Sequence, residues 1–382
     1  MMSGSPKHYV LPLTFALLIA VHVADHFFGF IPEPELAEKR VKVQKPRVKV
    51  THLDVFPRQY EAYYNDHFNW RDLLIRIGSR FRYFALQTSP QPDKVIIGKE
   101  GWMYKSGVAR DLFIGHIHYN QRRINRFLEE FHRRRQIIED LGGTYYIAFA
   151  PLKHDIYPEY LPDELTRNKP PSSTQHLREV LMQDSLLQFI DLTTPLIAAK
   201  ASARGLIFHK TDHHWSEEGA LIAAQEIISA IRQKFPEVDP IDTTKWQLTF
   251  EETPGWSLAG LIGIEQDVTE VVPRYIRRVP RVAHDTMSYH LPPDEFWEDY
   301  IVAKKTARKD KPSLFVVRDS FGSPVIKFLS DEFSYSFYLW DKWEHALNAD
   351  IFAKEGCDIY VQLIWEGLLL RLIETPPRGW FF

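Results

Sequence analysis

Cysteine is nearly absent: of 382 residues only Cys357 carries a thiol. That excludes an intramolecular disulfide framework and any multi-thiolate metal site. It leaves the compartment open, because a core of this size needs no disulfides even outside the cytoplasm. An excess of charge of one sign is also missing, since 47 Lys and Arg stand against 50 Asp and Glu for a formal charge of −3. Nucleic-acid binding ordinarily needs a basic face, so no nucleic-acid partner is expected. No internal repeat or low-complexity tract is present, and a chain 45% hydrophobic and 25% charged is not disordered as a whole. The length allows two domains or one large one. Aromatic residues make up 14% of the chain with ten Trp, which implies either a heavy core or a stacking surface.

Long apolar runs are scarce, with one at the amino terminus. Residues 9–24 read YVLPLTFALLIAVHVA, continued by Phe27, Phe28 and Phe30 and interrupted by Asp25 and His26. A bilayer span needs roughly 20 apolar residues. Three readings fit the run: a membrane anchor, a cleaved signal peptide, or a buried core helix; a small-x-small cleavage site is not evident, because His22 precedes the cut that Ala24 would offer. The anchor reading is carried forward over residues 1–30. Residues 31–50, IPEPELAEKRVKVQKPRVKV, have three prolines and alternate Lys or Arg with Val, the composition of an extended stalk. With an anchor in place, residues 51–382 would lie outside the cytoplasm.

Beyond residue 51, helical and strand patterns alternate. Residues 57–86 carry Tyr60, Tyr63, Tyr64, Phe68, Leu73, Leu74 and Ile77 at helical spacing, and residues 95–104 read as a hairpin about Gly98-Lys99-Glu100-Gly101. A charged helix is expected over 121–140, with Ile124, Phe127, Phe131 and Ile137 as its apolar stripe, closed by Gly142 and Gly143. Buried strands are expected at 145–150, 187–192, 314–317 and 359–364, and helices at 174–184 and 216–234. Strands alternating with helices imply an α/β fold with a mainly parallel central sheet covered on both faces.

Two segments carry chemistry. In Lys210-Thr211-Asp212-His213-His214-Trp215-Ser216, Ser216 suits a helix N-cap, with Glu217 and Glu218 in the first turn. Asp212 and His214 then share a loop, and on an extended backbone positions two apart point the same way, so the carboxylate can orient the imidazole. In Leu314 to Gly322, a buried strand ends in Arg318-Asp319-Ser320, placing Ser320 at the mouth of a following helix, where backbone N–H groups can hold an oxyanion. Each segment alone more often serves a structural purpose. A metal held by His209, Asp212, His213 and His214 is disfavoured, because adjacent histidines diverge on an extended strand. Lys153 suits a substrate carboxylate or a structural ion pair, Trp215 a sugar platform or core packing, and Arg318 the oxyanion or a neighbouring acid such as Asp319. Trp102 reads as core packing in its hairpin and Cys357 as a small buried hydrophobe.

Five ordered segments together resemble the SGNH-hydrolase-like alginate O-acetyltransferase family: FPRQYEAYYNDHFNWRDLLI (56–75), VIIGKEGWMY (95–104), APLKHDIYPEYLP (150–162), TDHHW (211–215) with Gly219-Ala220, and RDSFG (318–322). The resemblance implies a flavodoxin-like three-layer sandwich and periplasmic acetylation of an exopolysaccharide. It makes Ser320 the nucleophile, His214 the base and Asp212 its orienter, with neither cofactor nor metal. His214 is preferred over His213 because the family's histidine immediately precedes Trp. It also implies a polysaccharide acceptor, an acetyl donor in a membrane-bound O-acyltransferase, and attachment to the inner membrane. A carbohydrate acetylesterase with the same triad and a non-catalytic glycan-binding scaffold are the alternatives. Three departures stand out: Arg318 replaces a small residue, Glu366 lacks a following Arg, and GWSLAGLIG (255–263) only partly matches the family's Asp-Leu loop.

Overall fold

The computed structural model describes residues 7–31, 42–286, 300–340 and 344–374. They form two compact units, one of residues 1–90 with 260–264, the other of residues 91–259 with 265–382.

In the first unit, α1 (Lys7–Phe28) is a single 22-residue helix, followed by α2 (Phe56–His67) and α3 (Arg71–Arg80). Among the described residues no helix is long and apolar enough to cross a membrane, so the expected spanning anchor finds no support here. The far end of α1 is tied to the rest of this unit. The buried Asp25 carboxylate accepts hydrogen bonds from the Ile31 N–H, Asn69 Nδ2 and Trp70 Nε1, and His22 packs on Phe68 and Trp70 at 4.5 and 5.0 Å. Residues 42–49 have no regular structure, and 32–41 of the expected stalk lie outside the described residues. The aromatic stripe of α2 and α3 is largely exposed, Tyr64, Leu74 and Ile77 each by about half.

The second unit is built on a seven-stranded sheet. Its strands, in chain order with their neighbours, are β1 (Val95–Ile97), β2 (Met103–Lys105), β3 (Thr144–Ala150), β4 (Gln188–Ile190), β5 (Trp246–Pro254), β6 (Thr269–Arg277), β7 (His284–Asp285), β8 (Ile301–Lys305), β9 (Ser313–Arg318), β10 (Tyr335–Trp340) and β11 (Ile359–Trp365). The large sheet runs β4-β3-β11-β9-β10-β8-β7, parallel from β4 to β10, with β8 and β7 antiparallel at one edge. The mainly parallel sheet and the hairpin β1–β2 match expectation. The long antiparallel arm β5–β6 and the antiparallel edge were not legible in the sequence. Every residue of β3 is buried, as a strand covered on both faces requires.

The helices cover this sheet by the stripes they carry. In α4 (Gln121–Asp140), Asn120 caps the Arg123 N–H, and Ile124, Phe127, Phe131, Arg134 and Ile138 face inward. Ile138 takes the core position expected of Ile137, because steps of four, three and four from Phe127 track the 3.6-residue turn. In α5 (Ser173–Gln183), Ser172 is the cap; in α6 (Glu217–Arg232), Ser216 accepts from the Glu218 and Gly219 N–H groups as expected. A Cβ on Gly219 would lie 2.4 Å from the Ile207 carbonyl, so glycine lets α6 start flush against the preceding strand segment. Glu217 and Glu218 do more than oppose the helix dipole: they accept from the Tyr275 N–H and Tyr275 hydroxyl, both at 2.6 Å, and so tie the β5–β6 arm to α6.

Candidate active site

The register Leu363↔Arg318 and Trp365↔Ala150 aligns the carboxyl ends of β9, β11 and β3 at one edge of the sheet. Ser320 lies two residues past β9, Lys153 three past β3, and Trp365 ends β11. Asp319 shapes the turn: one carboxylate oxygen accepts the Phe321 N–H at 2.9 Å, the other the Trp365 N–H at 2.7 Å. Where a helix was expected to follow the strand, Ser320 opens a short 3₁₀ turn, Ser320–Gly322. A Cβ on Gly322 would come within 2.6 Å of the Arg318 side chain, so the turn folds tightly over Arg318.

The Asp212 loop reaches this edge from the other side. Phe208 pairs with Trp215 across an antiparallel bridge, and the His209 N–H donates to the His214 carbonyl at 3.1 Å, so residues 209–214 form a closed loop. His214 Nδ1 is 3.1 Å from Asp212 Oδ1, and His214 Nε2 is 2.7 Å from Ser320 Oγ. Asp212 can only accept, so Nδ1 carries the proton and Nε2 presents its lone pair to the Ser320 hydroxyl. Burial alone would raise the Asp212 pKa. The adjoining His214 and His213 imidazoles reverse that and hold the carboxyl well below its usual range.

The loop reaches this geometry by a route other than the extended backbone expected. Asp212 Oδ1 accepts the His213 N–H at 2.5 Å and the His214 N–H at 3.4 Å, a side-chain cap that bends the chain. The bend also brings the two histidines together. Their ring centroids are 3.9 Å apart, so they converge where divergence was expected. His213 Nδ1 lies 2.9 Å from Asp212 Oδ1 but is poorly aligned for a hydrogen bond. Burial first, and then the neighbouring His214 imidazole, push the His213 pKa down to about 4. Among the described residues Asp212, His213 and His214 are the one group whose ligand atoms gather within 4.8 Å. Both His214 nitrogens already have partners, and His209 is bound elsewhere.

Several side chains missed in the sequence support this loop. Ser257 Oγ donates to Asp212 Oδ1 at 2.6 Å, from the very segment that matches the family only in part. Glu270, buried on β6, accepts from the Thr211 N–H at 2.8 Å and the Thr211 hydroxyl at 3.1 Å, and sits 2.9 Å from His209 Nδ1. Thr211 in turn holds the Trp256 N–H through its hydroxyl and the Leu258 N–H through its carbonyl. No local pattern announces Glu270, because its partners are 59 and 61 residues away.

The three side chains expected to bind substrate are placed otherwise. Lys153 is buried, and its ammonium donates to four carbonyls, of Met103, His209, Lys210 and Asp212, at 2.6–2.9 Å. It is a brace under the Asp212 loop; burial draws its pKa down to about 7 against the pull of Glu270 and Asp212. Trp215 is 1% exposed and donates from Nε1 to the Phe321 carbonyl at 2.9 Å, fastening the histidine loop to the serine turn from within the core. Arg318 is buried beneath that turn, bonded to Ser323 Oγ and the Asp319 carbonyl and packed on Trp340. Trp102 and Cys357 are buried as expected. The half-buried Trp365, stacked on Phe321 at 5.9 Å and edge-on to His213 at 5.3 Å, is the aromatic beside the histidines. Glu366, buried behind it, finds its arginine not next in sequence but in Arg178 on α5.

A Ser–His–Asp constellation at the carboxyl edge of a mainly parallel sheet defines an α/β protein of the serine-hydrolase kind. The chain belongs to the family described as the SGNH hydrolase-like domain, acetyltransferase AlgX, which matches residues 95–288 and thus includes Asp212 and His214 but stops short of Ser320. Curated relatives include the proteins named "Probable alginate O-acetylase AlgJ" of Pseudomonas syringae pv. tomato, 31% identical over 179 residues, 46% of this chain and 42% of the relative, and of Pseudomonas aeruginosa, 26% identical over 223 residues, 56% of this chain and 52% of the relative. The chain spans about half the length of the curated relatives it matches. Among solved structures, Bacillus cereus PatB1 with a sulfonyl adduct superposes with a TM-score of 0.54 at 14% identity, covering 73% of this chain and 97% of that one. A DHHW family protein from Eubacterium siraeum gives 0.50 at 14% identity, over 74% and 95%. At that identity the likeness shows the fold.

Proposed function

We propose that the protein is an extracytoplasmic O-acetyltransferase that moves an acetyl group through Ser320 onto hydroxyls of a polysaccharide. The observation that carries this reading is the continuous contact from Asp212 through His214 to Ser320, with distances of 3.1 and 2.7 Å. Ser320 Oγ attacks the acetyl carbonyl carbon while its proton passes to His214 Nε2; Asp212, held ionised, stabilises the imidazolium. The Ser320 N–H, at the start of the turn, faces the developing oxyanion. Collapse expels the donor's leaving group, which takes the proton from Nε2 and leaves acetyl-Ser320. A sugar hydroxyl then attacks, gives its proton to Nε2, and Ser320 leaves with that proton restored.

The family and the named alginate O-acetylases support a polysaccharide acceptor. The acetyl donor is a membrane-bound O-acyltransferase, since acetyl thioesters are made in the cytoplasm. The exposed apolar side chains of α1, among them Leu11, Phe15 and Leu18, attach the protein at the membrane surface. The catalytic domain is the part that follows the stalk. The test is Ser320→Ala. It abolishes acetylation of the polysaccharide, scored as acetylated glycan formed, and leaves the unfolding midpoint within about 0.5 kcal/mol of wild type. Acetylation by that variant at the wild-type rate refutes the reading, and free acetate as the wild type's sole product makes the protein an esterase.

A further inference from the structure

The His214 ring is held at two atoms, by Asp212 at Nδ1 and by Ser320 at Nε2. Acyl transfer breaks the second of these contacts, because Ser320 Oγ gives up its proton and bonds to carbon. During that step Asp212 is the one hydrogen-bond partner left to the ring, and a single contact of 3.1 Å lets it rock. Two neighbouring rings restrain it further. The His213 centroid lies 3.9 Å from that of His214 with the planes 42° apart, and Phe321 packs on His214 at 4.7 Å and 47°. His213 is backed in turn by edge contacts with Trp365 at 5.3 Å and Phe321 at 5.8 Å. The triad mechanism gives the His213 side chain no task. Its Nδ1 makes no aligned hydrogen bond, and the bond that His213 donates to Asp212 comes from its backbone N–H.

We propose that the His213 side chain is a positioning residue of the reaction: its ring packs on His214 and keeps Nε2 aimed at the reacting oxygen once the Ser320 hydrogen bond is given up. It acts through His214 and touches neither donor nor acceptor. A misplacement of about 1 Å can cost roughly 100-fold in rate, so a wall against the base is worth keeping. The wall must also be uncharged, because a cation at 3.9 Å would repel the imidazolium that forms on His214. Burial and His214, with Lys105 in support and Asp212 opposed, draw the His213 pKa down to about 4, so its ring is neutral at neutral pH. The backbone N–H of the same residue caps Asp212, so one residue serves both partners of the base. The inference rests on the triad of the acetyltransferase reading for the reaction it serves.

The experiment follows acetate release from an aryl acetate by the full-length wild type, His213→Ala and His213→Phe. Both variants keep the backbone N–H, so only the ring changes. His213→Ala is expected to lower kcat roughly 10- to 100-fold with KM within about twofold, and His213→Phe to recover kcat to within about threefold of wild type. In a His214→Ala background the His213→Ala change is expected to cost nothing further, because its effect runs through His214. A second readout is the His214 Nδ1–H resonance in protein labelled with ¹⁵N-histidine. Its exchange with water is expected to be roughly tenfold faster in His213→Ala and unchanged in His213→Phe. Wild-type kcat in His213→Ala overturns the role, and so does an equal further loss in the His214→Ala background. A loss in His213→Phe as deep as that in His214→Ala also overturns it, and makes His213 itself a catalytic residue. None of these readouts needs a polysaccharide. If they fall as expected while the wild type forms no acetylated glycan, the acetyltransferase reading fails and the positioning role stands.

Discussion

Replacing Ser257 by alanine tests whether the Asp212 carboxylate acts as the orienter. Four donors converge on Asp212 Oδ1: the His213 N–H at 2.5 Å, Ser257 Oγ at 2.6 Å, His214 Nδ1 at 3.1 Å and the His214 N–H at 3.4 Å. Ser257 is the only one from outside the loop, so it alone fixes the carboxylate against the rest of the domain. A hydrogen bond to a charged group contributes about 1.5–3 kcal/mol, and three donors remain after the substitution, which places the loss at the lower end, about 1.5 kcal/mol. If that loss falls on the transition state, kcat for acetyl transfer drops roughly tenfold. Removing a donor also makes the ionised carboxylate less favourable, so the Asp212 pKa rises. Because the folded pKa is held well below 3.8, its contribution to stability is present above the unfolded value and lost as the pH falls through the folded one. In Ser257→Ala the folded value moves toward the unfolded one, so the contribution is smaller and its loss is complete at a higher pH, and the acid limb of the rate profile moves up with the folded value. The assay is a pH series of initial rates on the alanine and threonine variants, the latter restoring a hydroxyl. An alanine variant with wild-type kcat and an unmoved acid limb would refute the role given to Asp212.

Lys153→Met, which keeps the volume but frees four buried carbonyls, is expected to cost roughly 2–5 kcal/mol in urea unfolding at pH 6; a midpoint unchanged by the substitution would show that the brace is dispensable. A second expectation concerns acid. His154, buried between Tyr104 and Phe113, has its pKa pushed from 6.5 down to about 3 by burial and by the Lys153 charge. The folded state therefore binds fewer protons than the unfolded chain below pH 6.5, so stability falls as the pH drops from there toward 3 and is flat above. The slope is about 1.4 kcal/mol per pH unit. His154→Leu should remove about 2–3 kcal/mol of the stability difference between pH 7 and pH 4.5, read from urea curves followed by tryptophan fluorescence, and an undiminished difference would sink this assignment.

The sequence by itself determined what depends on neighbours in the chain. Alternating apolar strands and amphipathic helices announced the α/β sheet, Ser216 announced the start of α6, and TDHHW and RDSFG marked the two segments whose residues Asp212, His214 and Ser320 come within hydrogen-bond reach. The length and apolar character of residues 9–30 announced a helix but not its ending, because the partners that hold Asp25 are Asn69 and Trp70, more than 40 residues on. The tertiary structure alone decided which polar groups face a ligand and which hold the frame. Lys153, Trp215 and Arg318 look in the sequence like groups for a substrate, and the fold buries all three, because each satisfies a carbonyl or hydroxyl that the meeting of distant segments would otherwise leave unpaired. Ser257 and Glu270 carry no motif, yet they fix the Asp212 loop. Their partners lie 45 to 61 residues away, and a hydrogen bond over that separation leaves no period in the sequence.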